Sequence, residues 1–236
     1  MSPGPIGLVG SGEYLPVMTG FEGMLLKGRP PRYVQVPTAA APEGEAVLRR
    51  WVDRGAEQAD RLGVEQVPVV ARDRAEADDP GLAAMVGGAG LIYLSGGNPA
   101  YLAQTLRGTR LWRAIDRAWR AGAALAGCSA GAIVLTGWVP SIRDAGREPD
   151  PGLRVLPHLR VLPHFDRMLR WSPGLLARAT SGLPPGTFVL GIDEDTAIAD
   201  LTGAGRTWEV HGRQRAWVVA DERHRAGHAA GSRFTT

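Results

Sequence analysis

The sequence predicts an α/β protein with a mostly parallel β-sheet. Short apolar segments alternate with amphipathic stretches, which is typical of successive β–α units. Several apolar segments end in glycine-containing loops, and open α/β sheets bind ligands at the carboxyl ends of their strands. The chain has 236 residues, 44% of them hydrophobic, which is enough for one sizeable domain. We expect that domain to span residues 1–220 and the polar residues 221–236 to be disordered.

Composition and charge exclude several classes of protein. The net charge is +3, nearly all of the positive charge comes from arginine, and basic and acidic residues are interspersed. We therefore expect no nucleic-acid partner, since such proteins concentrate their positive charge. We find neither a signal-peptide pattern nor an apolar run of membrane-spanning length, so we expect a cytoplasmic protein with no membrane partner. The single cysteine excludes an internal disulfide, and a homo-oligomer stays possible.

The first part of the chain shows the expected alternation of strands and helices. The loop after the first strand contains Gly10 and Gly12 but lacks the third glycine of a dinucleotide-binding fingerprint. A long amphipathic helix ends at Gly63, a common helix-terminating residue. The predicted elements are strands at 5–9, 33–36 and 64–70 and helices at 43–62 and 80–86, with a charged, flexible segment at 73–79.

A central strand is predicted at 91–94, and it leads into the loop Ser95-Gly96-Gly97-Asn98-Pro99. Glycines at the carboxyl end of a strand let backbone amides approach a ligand. We therefore expect this loop, with Asn98, to contact the substrate. Apolar residues at helical spacing then predict a core-facing helix that ends at Gly122.

A hydroxyl between two glycines interrupts the next apolar run, in the order Gly127-Cys128-Ser129-Ala130-Gly131. A nucleophile elbow holds its nucleophile on a strained turn from strand to helix, and it needs very small residues two positions to either side. Gly127 and Gly131 meet that need around Ser129. We predict Ser129 as the nucleophile and the N–H of Ala130 as an oxyanion donor. An elbow centred on Cys128 would place alanines at the small positions, so we interpret Cys128 as a buried neighbour.

A serine nucleophile needs an imidazole to take its proton, and the chain has five histidines. His224 and His228 lie in the polar tail, and His211 lies at a predicted hairpin turn. His158 and His164 each end a copy of the sequence Arg-Val-Leu-Pro-His, on extended backbone. These two are the candidate general bases.

Four segments together resemble the peptidase S51 family, which includes aspartyl dipeptidase (peptidase E) and cyanophycinase. The segments are Ser95-Gly96-Gly97-Asn98, Gly127-Cys128-Ser129-Ala130-Gly131-Ala132, Leu162-Pro163-His164-Phe165 and Gly191-Ile192-Asp193-Glu194-Asp195-Thr196-Ala197. The resemblance runs from the first strand to about Val219. It implies a fold similar to class I glutamine amidotransferases, with helices on both faces of the sheet. It also implies that Ser129 is the nucleophile, His164 the general base, and the amides of Gly97 and Ala130 the oxyanion hole.

The activity that this resemblance implies is a serine peptidase that cleaves a small peptide or amide through an acyl-enzyme, without a cofactor. A non-catalytic or ligand-binding relative with the same fold is the alternative. An esterase of the α/β-hydrolase class shares the elbow but usually carries its histidine near the chain end, which disfavours it here.

Several carboxylates are open as the acid that orients the histidine. Asp144 and Glu148 lie between Ser129 and His164, where peptidase E carries its acid, and we rank them together. Asp166, two residues after His164, ranks next. An orienting carboxylate fixes the imidazole tautomer, so the enzyme hypothesis requires one of them to be close.

Two features bear on the substrate and on metals. An acidic substrate side chain, as peptidase E prefers, would need a cation, and Arg143, Arg167 or Arg170 could supply it. The cyanophycinase pattern has Asp-Gln before the histidine, whereas Leu-Pro stands here, which argues against cleavage of that large branched polymer. Adjacent carboxylates on a strand point to opposite faces, so we interpret residues 193–195 as a structural turn and expect no metal.

The last part of the chain is predicted to be mainly short strands. A helix is expected at 171–179, with strands at 186–192 and 197–200. Two further strands, 208–211 and 216–219, are expected to form a small hairpin around Gly212.

Overall fold

The computed structural model describes residues 2–141, 148–221 and 223–236. Its strands are β1 (Ile6–Val9), β2 (Arg32–Val36), β3 (Glu65–Pro68), β4 (Leu91–Leu94), β5 (Ala124–Cys128), β6 (Leu159–Pro163), β7 (Phe188–Ile192), β8 (Thr196–Asp200), β9 (Thr207–Gly212), β10 (Arg215–Val219), β11 (Arg225–Ala229) and β12 (Arg233–Thr235). Its helices are α1 (Thr19–Leu26), α2 (Glu45–Leu62), α3 (Arg74–Ala77), α4 (Pro80–Ala84), α5 (Pro99–Leu106), α6 (Arg110–Arg120), α7 (Ala130–Val134), α8 (Phe165–Trp171) and α9 (Pro173–Thr180).

The larger sheet has the strand order β12-β9-β8-β1-β5-β4-β2-β3. Strands β1 to β5 run parallel to one another, while β8, β9 and β12 pair antiparallel at one side. The predicted α/β fold with a mostly parallel sheet is therefore confirmed. Because β1, β5 and β4 are neighbours, the loops that follow them meet at one edge.

Helices cover both faces of this sheet. On β4, Ile92 and Leu94 belong to a core cluster that includes residues of α5 and α6, whereas Leu91 and Tyr93 belong to a second cluster that includes residues of α1. Successive side chains of a strand point to opposite faces. A strand that is buried on both faces therefore has an uninterrupted apolar sequence, as β4 does.

The smaller sheet has the order β11-β10-β7-β6 and holds the other side of the site. Its neighbours β6 and β7 are parallel, with Pro163 paired to Ile192. Helices α8 and α9 pack on it through a third apolar cluster that includes Leu162, Phe165 and Leu176. The residues that follow β6 and β7 therefore lie side by side.

The C-terminal hairpin exists, but its strands are not those expected. β9 pairs with β8 and β12 in the larger sheet, whereas β10 pairs with β7 and β11 in the smaller one. The expected pairing of 208–211 with 216–219 is therefore wrong, and the hairpin is formed by β10 and β11. Gly212 ends β9, where the chain passes from one sheet to the other.

The tail also differs from its expected disorder, because β11 and β12 lie within residues 221–236. Phe234 of β12 is 8% exposed and pairs with Trp208 of β9. One aromatic side chain in an otherwise polar segment thus anchors the tail to the main core.

Helices α1, α3 and α5 were not predicted from the sequence. The charged segment 73–79 contains α3, where the Asp73 side chain accepts a hydrogen bond from the Glu76 N–H at 2.9 Å. Helix α1 follows a short 3-10 turn at 16–18 and buries Phe21 and Leu25. Among the described residues, no helix is both long enough and apolar enough to cross a bilayer.

Candidate active site

Ser129 lies on the turn between β5 and α7, with φ of 49° and ψ of −107°. Such a conformation costs on the order of 1–3 kcal/mol in a residue with a side chain. A Cβ on Gly127 would collide with the backbone of Gly131, and a Cβ on Gly131 would collide with the backbone of Leu94. The two glycines therefore let α7 leave β5 abruptly, which leaves the half-buried Ser129 at the sheet edge.

The loop after β4 lies beside this turn because β4 and β5 are paired. Gly97 has φ of 137°, and a Cβ there would collide with the backbone of Ala39. Gly97 and Ala130 line the same cavity as Ser129. The structure thus brings the two residues predicted as oxyanion donors next to the predicted nucleophile.

Asn98 has structural contacts that hold this loop. Its Oδ1 accepts a hydrogen bond from the N–H of Tyr101 at 3.0 Å, which caps α5. Its own N–H donates to the carbonyl of Ala39 at 2.8 Å. Substrate contact by Asn98 stays a prediction.

Glu13, in the loop after β1, connects the other two loops. It is 8% exposed, and its Oε1 accepts a hydrogen bond from the N–H of Gly96 at 2.9 Å. The Cys128 thiol donates to its Oε2 at 2.7 Å. One buried carboxylate therefore fixes the residues that immediately precede Gly97 and Ser129. No role was predicted for Glu13, although its loop is marked in the sequence by Gly10 and Gly12.

Cys128 is unsuited to be the nucleophile. Its side chain is fully buried, and burial raises the pKa of the thiol well above its usual value. A cysteine nucleophile acts as the thiolate, which a raised pKa disfavours. The geometry therefore favours Ser129.

His164 follows β6 and stands at the N-cap of α8, with φ of 50° in the left-handed region. Its Nε2 lies 3.2 Å from Oγ of Ser129. This separation is within hydrogen-bond reach for a general base. The two residues predicted as nucleophile and base thus meet, although they come from different sheets.

The carboxylate beside His164 is Glu194, whose Oε1 lies 3.0 Å from Nδ1 of the imidazole. Glu194 follows β7, the parallel neighbour of the strand that ends before His164. A carboxylate on Nδ1 holds the imidazole with Nε2 directed at the hydroxyl. Ser129, His164 and Glu194 therefore form one hydrogen-bonded series.

Glu194 is itself held on several sides. Its N–H donates to Oδ1 of Asp166 at 2.9 Å, and its carbonyl accepts a hydrogen bond from Nε2 of Gln214 at 3.0 Å. Its Oε2 lies 2.8 Å from Nε of Arg167. The carboxylate is thereby fixed at both oxygens.

These contacts correct the sequence-based choice of acid. Glu148 is exposed, and Glu194 rather than Glu148 contacts Nδ1 of His164. Asp166 bonds the backbone of Glu194 instead of orienting the histidine. Asp144 lies outside the described residues, so its role as the orienting acid stays a prediction.

The acidic turn 193–195 is only partly structural, contrary to the sequence interpretation. Asp193 accepts a hydrogen bond from the Trp217 indole at 3.0 Å, and Asp195 pairs with Arg213 at 3.3 Å. The side chain of Glu194 instead contacts His164. The sequence feature that could have indicated Glu194 is its position just after β7, because His164 directly follows β6, the parallel neighbour of β7.

The other candidate base, His158, has a structural contact. Its Nε2 lies 2.8 Å from the carbonyl oxygen of Gly205, and burial lowers the pKa of its imidazole. His211 and His224 lie beside Glu209 and Asp221. His164 is thus the described histidine that contacts Ser129.

Of the arginines expected to bind an acidic side chain, Arg167 and Arg170 are not among the described residues that line the cavity. Arg167 pairs with Glu194, Arg170 is exposed on α8, and Arg143 lies outside the described residues. The cavity beside Ser129 has a volume of about 370 Å³. Its described lining comes mainly from the loop after β4, from α7 and β6, and from the start of α8 and α9.

Fold and site together define an α/β protein whose sheet edge carries a hydroxyl, an imidazole and a carboxylate in hydrogen-bonded series. In such a series the imidazole can take the proton of the hydroxyl. The model of peptidase family S51 matches residues 7–201, which is most of the chain. The chain therefore belongs to peptidase family S51, and it is a peptidase.

Two solved structures are similar over nearly the whole chain. The crystal structure of a peptidase from an acI-B1 Actinobacterium has a TM-score of 0.91 and 38% identity, covering 100% of this chain and 98% of the other. A proposed peptidase E protein from Listeria monocytogenes EGD-e has a TM-score of 0.59 and 18% identity, covering 97% and 99%. The second likeness concerns the fold alone. No curated protein sequence matches the chain.

Proposed function

We propose that the chain is a serine peptidase that cleaves small peptides or amides through an acyl-enzyme. The observation that carries this proposal is the hydrogen-bonded series Ser129, His164 and Glu194, with separations of 3.2 Å and 3.0 Å. Membership of the S51 family supports the peptidase class. The strained turn at Ser129 supports the choice of nucleophile.

In the first half-reaction, Oγ of Ser129 attacks the carbonyl carbon of the substrate while Nε2 of His164 takes the hydroxyl proton. Oε1 of Glu194 accepts a hydrogen bond from Nδ1–H of His164 and stabilises the imidazolium, which keeps both of its protons. The amides of Gly97 and Ala130 donate to the oxyanion of the tetrahedral intermediate. The C–N bond then breaks, His164 gives its proton to the leaving amine, and an ester to Ser129 remains.

In the second half-reaction, a water molecule attacks the ester carbonyl. His164 takes a proton from the water and returns it to Oγ as the C–O bond of the acyl-enzyme breaks. The products are a carboxylic acid and free Ser129. Because His164 carries each proton, the proposed mechanism uses no cofactor.

Cytoplasmic location is part of the proposal and agrees with the single, unpaired Cys128.

The test combines a fluorophosphonate label with the Ser129→Ala variant. An activated serine reacts with the label, so we expect modification of Ser129 in the wild-type protein, read by peptide mass spectrometry. Ser129→Ala is expected to lose the label and to lower peptide turnover by about 10⁶-fold, as for other serine nucleophiles.

Circular dichroism is the folding control for that variant, because removing one half-buried hydroxyl leaves the core intact. An unlabelled wild-type protein, or a folded Ser129→Ala variant with full turnover, would contradict the serine-peptidase proposal. The first of these results would favour a non-catalytic, ligand-binding relative.

A further inference from the structure

The cavity beside Ser129 has apolar walls. The side chains that form them include Ile133 of α7, Leu162 of β6, Met168 of α8 and Leu175 of α9. Each of these four is at most 9% exposed. The walls are thus built from side chains that are firmly packed in the fold.

The cavity also lacks charge among the residues that the structure describes. His164 is the one described lining residue with an ionisable side chain, and its two ring nitrogens are hydrogen-bonded to Ser129 and Glu194. Moving a carboxylate or an ammonium group into apolar surroundings without a partner is strongly unfavourable. The nearby Arg167 is held by Glu194 and is not part of the lining.

The cavity is adjacent to the groups that would hold the acyl carbon. Ser129, Gly97 and Ala130 form one part of its wall, and the rest of the described lining is apolar except for His164 and Ser172. The side chain that lies nearest to the acyl carbon is that of the residue whose carbonyl is attacked, the P1 residue. A cavity of about 370 Å³ falls near the lower end for small-molecule sites, roughly 300–1,000 Å³, and suits one large side chain.

We infer that this cavity is the P1 subsite and that it selects uncharged, apolar side chains such as those of leucine, methionine and phenylalanine. The inference rests on the proposed serine-peptidase function and names its substrate class. It differs from the expectation of an acidic side chain bound by Arg143, Arg167 or Arg170: the latter two are absent from the described lining, and Arg143 lies outside the described residues. Binding follows from burial of apolar side-chain surface, and discrimination against Asp or Glu follows from their unpaired charge.

The experiment uses diphenyl aminoalkylphosphonates, which react with an activated serine and carry the P1 side chain on the carbon next to phosphorus. The series has the side chains of Ala, Leu, Phe and Asp, with the same leaving group throughout. The measurement is the second-order rate of Ser129 modification. We expect Leu or Phe to react at least about 10-fold faster than Ala, since each added methylene in an apolar pocket is worth about that factor, and faster still than Asp.

A Met168→Phe variant tests whether this cavity is responsible. The larger, rigid ring narrows the cavity, so the ratio of the Phe to the Ala rate should fall at least about 5-fold, as expected for overpacking of a close-fitting site. Met24→Phe is the matched control, because Met24 lies on α1 and packs against the second apolar cluster, which contains none of the described residues that line the cavity. That control should keep the wild-type ratio.

The outcomes separate this inference from the proposed function. If Ser129 reacts with a small fluorophosphonate but the series is flat, or favours Asp, the P1 inference is wrong and the peptidase proposal stands. The P1 inference is also wrong if Met168→Phe keeps the wild-type ratio while still reacting with the fluorophosphonate. If no reagent modifies Ser129, both the proposed function and the inference fail.

Discussion

At the scale of single residues, the proposed chemistry depends on how Nδ1 of His164 is held. Glu194 lies 3.0 Å from Nδ1, and its second oxygen pairs with Arg167 at 2.8 Å. The N–H of Glu194 donates a hydrogen bond to Oδ1 of Asp166, which fixes the backbone from which that carboxylate extends. Orientation of the histidine therefore follows from one side chain that is itself fixed by others.

Replacing Glu194 by Gln should lower kcat by about 10⁴-fold, the size of loss seen when an orienting carboxylate becomes an amide. The amide nitrogen can donate to Nδ1 and so stabilise the wrong tautomer, with the hydrogen on Nε2. Peptide turnover and the rate of fluorophosphonate labelling measure the effect. Glu148→Gln is the matched control, since Glu148 is exposed, and it should keep wild-type activity. Equal losses in both variants would contradict the assignment of Glu194.

Glu194 also shows why a site residue can escape sequence analysis. Alternation along a strand predicts where side chains point, but Glu194 follows the end of β7 in a turn where Asp195 has φ of 53°. The period of two no longer holds in such a turn. The strained turn at Ser129 was predictable because its glycine neighbours are what such a turn requires. The place of residues 193–195 after β7 indicates the region, but it does not single out the middle carboxylate.

At the scale of secondary-structure elements, the site depends on how closely α7 approaches the sheet. Gly131 is the second residue of α7, and its Cα faces the backbone of Leu94 at the end of β4. Any side chain there must displace either the helix or the strand. Such a shift moves Ser129 relative to Gly97, because the two follow neighbouring strands.

The Gly131→Ala variant should therefore be less stable by about 1–3 kcal/mol, the usual cost of overpacking. Its turnover should fall together with its stability. Gly20→Ala is the matched control, because a Cβ on Gly20 in α1 has no neighbour within 4 Å. That control should be stabilised by about 0.4–1 kcal/mol, since alanine restricts the unfolded chain. Urea denaturation compares the two, and a Gly131→Ala protein as stable as Gly20→Ala would show that the close approach is not rigid.

Elements with strong local signals were predicted well, while pairing between distant elements was not. β4 is uniformly apolar and α2 ends at a left-handed Gly63, so each is defined by its own residues. The partners of β10 are β7 and β11, and that choice depends on which sheet the chain enters after Gly212. Local sequence does not encode that crossing, because β10 pairs with β7, from which β8 and β9 separate it along the chain.

At the scale of the whole molecule, the two sheets contribute different parts of one site. The larger sheet supplies Ser129 and Gly97, and the smaller sheet supplies His164 and Glu194. The hydroxyl and the imidazole meet only when both sheets are assembled. Activity therefore reports on the complete fold, and conditions that weaken the fold should weaken catalysis with it.

One buried carboxylate makes the stability of that fold depend on pH. Glu22 of α1 is 0% exposed, and Nε2 of Gln58 donates to its Oε2 at 3.1 Å. Its Oε1 has no hydrogen-bond partner among the described residues. Burial raises the pKa of Glu22 to about 8. The folded protein therefore keeps a proton on Glu22 that the unfolded chain, with an ordinary pKa of about 4.3, releases.

Since the folded state binds the extra proton, its stability should fall as pH rises from about 4 to about 8, by at most about 1.4 kcal/mol per pH unit. Glu22→Gln keeps the shape of the side chain but has no proton to lose, so the difference in unfolding free energy between variant and wild type should grow with pH over that window. Urea denaturation of both proteins at about pH 5, 6, 7 and 8 measures this difference. Taking the difference cancels the titration of groups that the two proteins share. A difference that stays constant with pH would mean that Glu22 is already ionised in the folded protein, with its charge compensated by contacts other than the bond from Gln58.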